Sequence, residues 1–187
     1  MKLCGLCLLF IVGLSCACMS GDIGVSMGMV QREASSNQNF WIAINYRMTF
    51  KNHLVIEPEV GYGNESQSET RCGDETCLHA EFNRRDTDLA LHTLYSIQAA
   101  SMRLSFGGGL GVHFLNSKSS ISSNLDTPIP FDISFSRNST KVGVHFLAEL
   151  DVPVWRKLSA FAAIRNELVQ DTNNNFKLYG GARFALP

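Results

Sequence analysis

Apolar and polar residues alternate along much of this chain. Between residues 40 and 50 the odd positions and the even positions differ in character. The even positions hold Phe40, Ile42, Ile44, Tyr46, Met48 and Phe50, and the odd ones hold Trp41, Ala43, Asn45, Arg47 and Thr49. A period of two is that of a β-strand with one apolar face. Residues 102–114 and 141–152 repeat the pattern, and each run is long enough for a tilted strand to cross a bilayer, which takes about ten residues.

The alternation and the turn residues between the runs predict eight strands. They cover residues 22–31, 39–50, 54–63, 84–97, 102–115, 140–152, 158–169 and 175–186. The longer or more polar connections are 32–38, 64–83, 116–139 and 170–174, and they alternate with tight turns at 51–53, 98–101 and 153–157. Long loops at one end and short turns at the other are typical of outer-membrane β-barrels. The fold predicted is all-β, an eight-stranded antiparallel up-and-down transmembrane barrel that leaves no open edge.

The more polar face of these strands is predicted to line the lumen. It mixes glycines with charges of both signs, and enclosed charges need partners. The other face carries almost no charge, which suits hydrocarbon. The predicted lumen charge network is Arg47, Glu57, Glu59, Asp88, Arg103, His113, His145, Glu149, Asp151, Arg165, Glu167, Lys177 and Arg183. A soluble periplasmic lipocalin-like barrel, with its apolar face around a ligand cavity, is the main alternative.

The N-terminus has the pattern of a secretory signal peptide. Met1 and Lys2 precede an apolar run at 3–14, and small residues follow. Cleavage is expected after Ala17, within 17–20, which makes 1–17 the signal peptide and 18–187 the outer-membrane barrel domain. A lipid anchor on Cys16 or Cys18 stays open as an alternative.

Four of the six cysteines lie in or beside this signal, which leaves Cys72 and Cys77 for the exported part. Their segment has a loop composition, and exported proteins meet an oxidising compartment, so a disulfide is predicted. His79 lies nearby, but one histidine and two cysteines do not complete a zinc set. Neither a metal nor another cofactor is predicted from the sequence.

Composition excludes some other classes of protein. The chain has 187 residues, enough for one domain, with 16 basic and 17 acidic residues. Nucleic-acid binders usually carry a basic excess, so no nucleic-acid partner is expected. No internal apolar run reaches the roughly 18 residues of a membrane helix.

The last predicted strand carries a further pattern. Tyr179, Gly181, Phe184 and Leu186 match the polar-x-Gly-x-x-hydrophobic-x-hydrophobic signal by which outer-membrane barrels are recognised for assembly. With the strand count and the loop alternation, the whole mature chain resembles the OmpA/OmpX-like family of small barrels, also called porin-family proteins. The resemblance implies the cell outer membrane of a Gram-negative bacterium, insertion by the barrel assembly machinery, and contact with outer-membrane lipid and lipopolysaccharide.

Several functions remain open at this point. A structural or surface-interaction barrel is favoured, with a host or other surface partner contacting loops 64–83 and 116–139. A narrow pore is an alternative, although an eight-stranded lumen is usually filled by side chains. A lipid-modifying enzyme is another, with His113 and Ser117 as its nearest catalytic pair and Asp88, His92 and Glu149 as secondary candidates. An inward histidine among charges more often belongs to a polar network, so no catalytic residue and no enzyme activity is predicted.

Overall fold

The chain folds into a closed eight-stranded barrel in a computed structural model that describes residues 21–32, 39–50, 53–72, 76–125, 132–171 and 174–186. The strands are β1 (Gly21–Arg32), β2 (Asn39–Phe50), β3 (Leu54–Cys72), β4 (Thr76–Ala99), β5 (Met102–Leu125), β6 (Asp132–Trp155), β7 (Leu158–Val169) and β8 (Asn175–Ala185). Neighbours in sequence pair antiparallel, and β1 pairs with β8 to close the ring. The predicted fold class is confirmed. Within the described residues there is no helix able to span a membrane.

The two faces of the barrel wall differ as the alternation predicts. Outward side chains are apolar and exposed, as in the β1 and β2 rows Ile23, Val25, Met27, Met29, Phe40, Ile42 and Ile44. Inward side chains are buried and mostly polar, and they include Arg47, Glu57 and Arg165, each fully buried. This orientation is the opposite of a lipocalin, whose apolar face surrounds the cavity.

Four strands are longer than predicted. β1, β2, β7 and β8 start and end within one residue of the predicted bounds, whereas β3 to β6 run on into the predicted connections 64–83 and 116–139. β6 also continues to Trp155, which shortens the turn predicted at 153–157. The prediction of 64–83 as a loop was wrong, because β3 and β4 pair through it down to Cys72 opposite Cys77. Its serines, threonines and charges hide the period of two that identifies a strand. β5 and β6 likewise extend into the predicted connection 116–139, as far as Leu125 and from Asp132, and they pair as a hairpin up to Ser122 opposite Asp132.

These extensions form a sheet that continues beyond the closed barrel. The pairing of β2 with β3 ends at Phe40 opposite Asn64, and that of β6 with β7 ends at Gly143 opposite Val169. We call residues 65–72, 76–85, 116–125 and 132–140 the protruding sheet. At about 3.3 Å per residue, its β5 part extends roughly 30 Å along the strand. The opposite wall, made by β1, β2, β7 and β8, has no such extension in the described residues.

Candidate functional site

Two arginines and three acids form a network at the end of the lumen where the short turns lie. We call Arg47, Glu57, Glu149, Asp151 and Arg183 the turn-side cluster. Arg183 donates from Nη1 to Glu149 Oε1 at 2.7 Å and to Asp151 Oδ1 at 2.8 Å. Arg183 Nη2 donates to Glu149 Oε2 at 2.5 Å and to Glu57 Oε2 at 3.1 Å. Both oxygens of Glu149 therefore accept from one guanidinium, the bidentate geometry that makes such pairs strong.

Arg47 binds the same three acids from the other side. Its Nε donates to Glu57 Oε2 at 2.9 Å, and its two terminal nitrogens contact Asp151 and Glu149. The five side chains come from β2, β3, β6 and β8, so the cluster ties four strands together across the lumen. Arg103 lies at the margin of this cluster, a quarter exposed, 3.3 Å from Asp22 and 3.6 Å from Asp151.

A second network occupies the lumen towards the long loops. We call Glu59, Asp88, Arg165, Glu167 and Lys177 the loop-side cluster. Arg165 contacts Glu59, lies 2.9 Å from Glu167 Oε1 through Nε, and lies 3.3 Å from Asp88 Oδ2. Lys177 Nζ lies 2.9 Å from Asp88 Oδ2 and 2.7 Å from Glu167 Oε1. Each base thus faces at least two acids, which offsets the cost of enclosing the charges.

Aromatic rings pack against several of these charges. The Arg165 guanidinium carbon lies 4.7 Å from the Trp41 ring centroid, and Lys177 Nζ lies at the same distance from that ring. Arg183 lies 3.7 Å above the Phe161 ring. A cation over an aromatic face is attracted to the negative side of the ring. The alternation placed Trp41 on the inward face, but these contacts with cations were not predicted.

Three histidines form a chain beside the loop-side cluster. His92 Nε2 lies 3.1 Å from His145 Nδ1, and His145 Nε2 lies 3.2 Å from His113 Nε2. His113 Nδ1 lies 3.5 Å from Asp86 Oδ1, and His145 Nε2 lies 3.9 Å from Glu167 Oε1. All three rings are fully buried. The predicted lumen network contained His113 and His145, while His92 had been considered only as a secondary catalytic candidate.

Two glycines make room for these rings. Gly111 and Gly143 are paired across β5 and β6, and each begins a Gly-Val-His sequence. A Cβ at Gly111 would collide with the His145 ring, and one at Gly143 would lie 3.0 Å from His113 Nε2. Each histidine ring therefore packs over the glycine of the other strand. The repeated Gly-Val-His sequence therefore places the rings of His113 and His145 next to each other on the inner side of the wall.

The catalytic pair considered from the sequence is not brought together. His113 points into the lumen, where it contacts His145 and lies 3.5 Å from Asp86. Ser117 lies on the same face four residues further along β5, about 13 Å away along an extended strand. It pairs in register with Arg84 and Arg137, outside the closed barrel.

The face of the protruding sheet that continues the lumen side is polar on β3 and carries apolar residues on β4, β5 and β6. This inner face carries a patch made of Leu78, Ala80, Phe82, Ile121, Ile133 and Phe135. Ala80, Ile121 and Ile133 stand in one cross-strand row, and Phe82 and Phe135 flank Ser119 in the next. Phe135 is 63% exposed and Ile133 is 45% exposed. The outer face is polar, with serines, threonines and asparagines at alternate positions.

A disulfide closes the far end of the β3–β4 hairpin. Cys72 and Cys77 stand opposite each other in register and are bonded, as predicted. The bridge joins β3 to β4 at the end where β4 is the one strand that pairs with β3 among the described residues.

The terminal pattern divides between the two faces of β8. Tyr179 is buried against Trp41 at a ring-centroid distance of 4.8 Å, while Phe184 is half exposed and Leu186 lies on the surface beyond the strand. Gly181 lies where a Cβ would meet the backbone of β1. The role of this terminal pattern as an assembly signal stays a prediction.

Comparison with known proteins identifies the architecture. No known protein family matches this sequence, and no curated protein does. Among solved structures, Ail, the attachment invasion locus protein of Yersinia pestis, is similar at 15% identity and a TM-score of 0.50, over 88% of this chain and 97% of Ail. Ail with the heparin analogue sucrose octasulfate gives the same values. A major outer membrane protein of Thermus thermophilus has 12% identity and a TM-score of 0.53, over 89% of this chain and 99% of that protein. The chain has the fold of bacterial outer-membrane β-barrel proteins, which confirms the architectural resemblance inferred from the sequence.

Proposed function

We propose that this protein is a surface-interaction barrel of a Gram-negative outer membrane, exported by the signal peptide at 1–17. The observation that supports an outer-membrane location is that the apolar face of the barrel wall points outward. Exposed apolar residues such as Val25, Met27 and Leu110 cover its outside, and the charges lie within. A surface of this kind in water would be a large sticky patch, whereas in a bilayer it faces hydrocarbon. Two clusters of ion-paired side chains lie in the lumen, and they favour a structural plug over an open channel.

The protruding sheet is the part that would contact a partner. Both its edges lack a neighbouring strand among the described residues, at 65–72 on β3 and at 132–140 on β6. Unpaired strand edges offer backbone donors and acceptors to an extended segment of another protein. The apolar inner face next to β6 offers a place for that segment's side chains. We infer that the partner is a protein that adds a strand to the β6 edge and buries apolar side chains against Ile133 and Phe135.

Location is tested by separating the membranes of a Gram-negative cell that expresses the full chain. We expect the protein in the outer-membrane fraction, and we expect its unboiled form to migrate differently from its boiled form on a gel, because a closed barrel resists detergent unfolding. Recovery in the periplasmic supernatant with no mobility shift would contradict the proposal.

The surface role is tested with the variant I133S/F135S. Cells that carry the native chain are expected to bind host-cell surface proteins immobilised on a plate, and the variant is expected to lose at least about three quarters of that binding, because two exposed apolar contacts are removed. The control is S134A/S136A, which changes the opposite face of the same strand and is expected to bind as the native chain does. Equal losses in both variants, or none in either, would contradict a role for the inner face.

A further inference from the structure

The hydrogen bonds of the histidine chain determine where the lone pairs of two rings lie. Arg165 Nη1 lies 3.4 Å from His92 Nε2, and a guanidinium can only donate, so His92 Nε2 accepts. His92 Nε2 then has no hydrogen to give to His145, and His145 Nδ1 is the donor across the 3.1 Å that separates them. A neutral His145 therefore carries its lone pair on Nε2.

The same reasoning applies to His113 from the other side. Its Nδ1 lies 3.5 Å from Asp86 Oδ1, and a carboxylate at that distance favours the proton on Nδ1, which leaves the lone pair of a neutral His113 on Nε2. The two Nε2 atoms are 3.2 Å apart. Two lone pairs that face each other at this distance repel unless a proton or a cation lies between them.

We propose that the barrel binds one divalent transition-metal ion of the zinc type through His113 Nε2, His145 Nε2 and Glu167 Oε1. One ligand atom of each of the three residues lies within 4.8 Å of the other two, and all three residues are buried. Nitrogen ligands at about 2.05 Å in tetrahedral geometry are separated by roughly 3.3 Å, close to the separation of the two imidazole nitrogens here. Glu167 Oε1 lies 3.9 Å from His145 Nε2, so the carboxylate has to move closer to the two rings to join the coordination shell.

Groups beside the His113 and His145 rings are placed like the groups that orient metal-binding histidines in other proteins. Metal-binding histidines usually donate their second ring N–H to a carboxylate or another acceptor, which fixes the tautomer. His92 Nε2 is such an acceptor for His145 Nδ1, and the Asp86 carboxylate lies 3.5 Å from His113 Nδ1. Gly111 and Gly143 provide the space that the two rings occupy.

The charge of the lumen favours a cation in spite of two competing bases. Lys177 Nζ and Arg165 Nε lie 2.7 and 2.9 Å from Glu167 Oε1 and compete with an ion for it. The buried acids nevertheless outnumber the buried bases in the described residues. Within the closed barrel these acids are Glu57, Glu59, Asp86, Asp88, Glu149, Asp151 and Glu167, and the bases are Arg47, Arg165, Lys177 and Arg183. Two imidazoles favour zinc, cobalt or nickel over magnesium and calcium.

The test uses the untagged full chain, purified metal-free and refolded in detergent with Co²⁺ or Zn²⁺. We expect one ion for each chain and a visible absorption band typical of tetrahedral Co²⁺. H113Q and H145Q should each weaken binding at least about tenfold, because each removes one ligand. H79Q is the control, since His79 lies in the protruding sheet away from the lumen, and it should bind as the native chain does.

Two results would overturn the proposal. One is native protein that binds no ion at tenfold excess near neutral pH, which would assign the gap between the rings to a shared proton. The other is equal binding by the native chain and the doubly substituted H113Q/H145Q. If these variants fail to fold, X-ray absorption of the zinc-loaded native chain decides instead. Two imidazole nitrogens among the ligands support the site, and a shell of oxygen alone contradicts it.

Discussion

Replacing Arg183 with methionine is expected to lower the free energy of unfolding of the barrel by about 3 to 5 kcal/mol. Its guanidinium is fully enclosed and donates to Glu57, Glu149 and Asp151. Without it, three buried carboxylates share Arg47 alone as a fully buried partner. Uncompensated charge in a low dielectric is far more costly than the loss of one surface pair. Urea unfolding in phospholipid vesicles, followed by tryptophan fluorescence, measures the change.

Two further variants separate this effect from a general loss of packing. Arg103→Met removes a base that is a quarter exposed at the margin of the same cluster, and we expect it to cost less than about 1 kcal/mol. Adding E149Q to R183M removes one of the stranded charges and should recover part of the loss. If R183M and R103M destabilise the barrel equally, the turn-side cluster does not behave as an enclosed network.

Much of the barrel can be predicted from the sequence, because one physical rule decides which residue types occupy each face. Hydrocarbon outside and a crowded polar lumen force side chains such as Ile44 and Asn45 to alternate, and the period of two follows directly. The four strands that stay within the wall accordingly match their predicted bounds. Outside the barrel wall this rule no longer applies, and the alternation that identifies a strand is lost. Beyond Glu65 the residues on both faces of β3 are polar and at least partly exposed, so the extension has no clear pattern.

The lumen is predictable as a set of residues but not as a set of partners. The inward positions of Arg47, Arg165 and Arg183 follow from their place in the alternation. Which acid each arginine meets depends on the register and tilt of strands that are far apart in sequence. Arg165 and Glu59, for example, lie on β7 and β3, which are not neighbours.

One feature of the sequence indicates the histidine chain. Gly111-Val-His113 and Gly143-Val-His145 repeat on successive strands, and their antiparallel pairing brings the two glycines opposite each other. The repeat indicates that the rings of His113 and His145 share one place in the lumen. Glu167 and His92 come from β7 and β4, and nothing near them in sequence resembles a ligand motif.

A charge placed on the outside of the barrel tests the membrane assignment most directly. Leu110 is 63% exposed, and its cross-strand neighbours Leu91 and Val144 are exposed and apolar as well. Leu110→Arg is expected to lower the free energy of unfolding in vesicles by about 2 to 4 kcal/mol, because a guanidinium near the bilayer midplane loses its hydration. The same unfolding measurement, with Leu110→Met as a volume-matched apolar control, isolates the charge from the change in shape.

The position of the charge along the wall distinguishes a bilayer from water. Val154 is exposed to the same degree as Leu110 but lies beside the short turn between β6 and β7, where headgroups and water would meet the barrel. Val154→Arg is therefore expected to cost only about 0 to 1 kcal/mol. In water both arginines would be equally hydrated, and both variants would differ little from the native chain. A depth-dependent cost thus requires hydrocarbon around the apolar band, whereas two small and equal costs would mean that this face meets solvent.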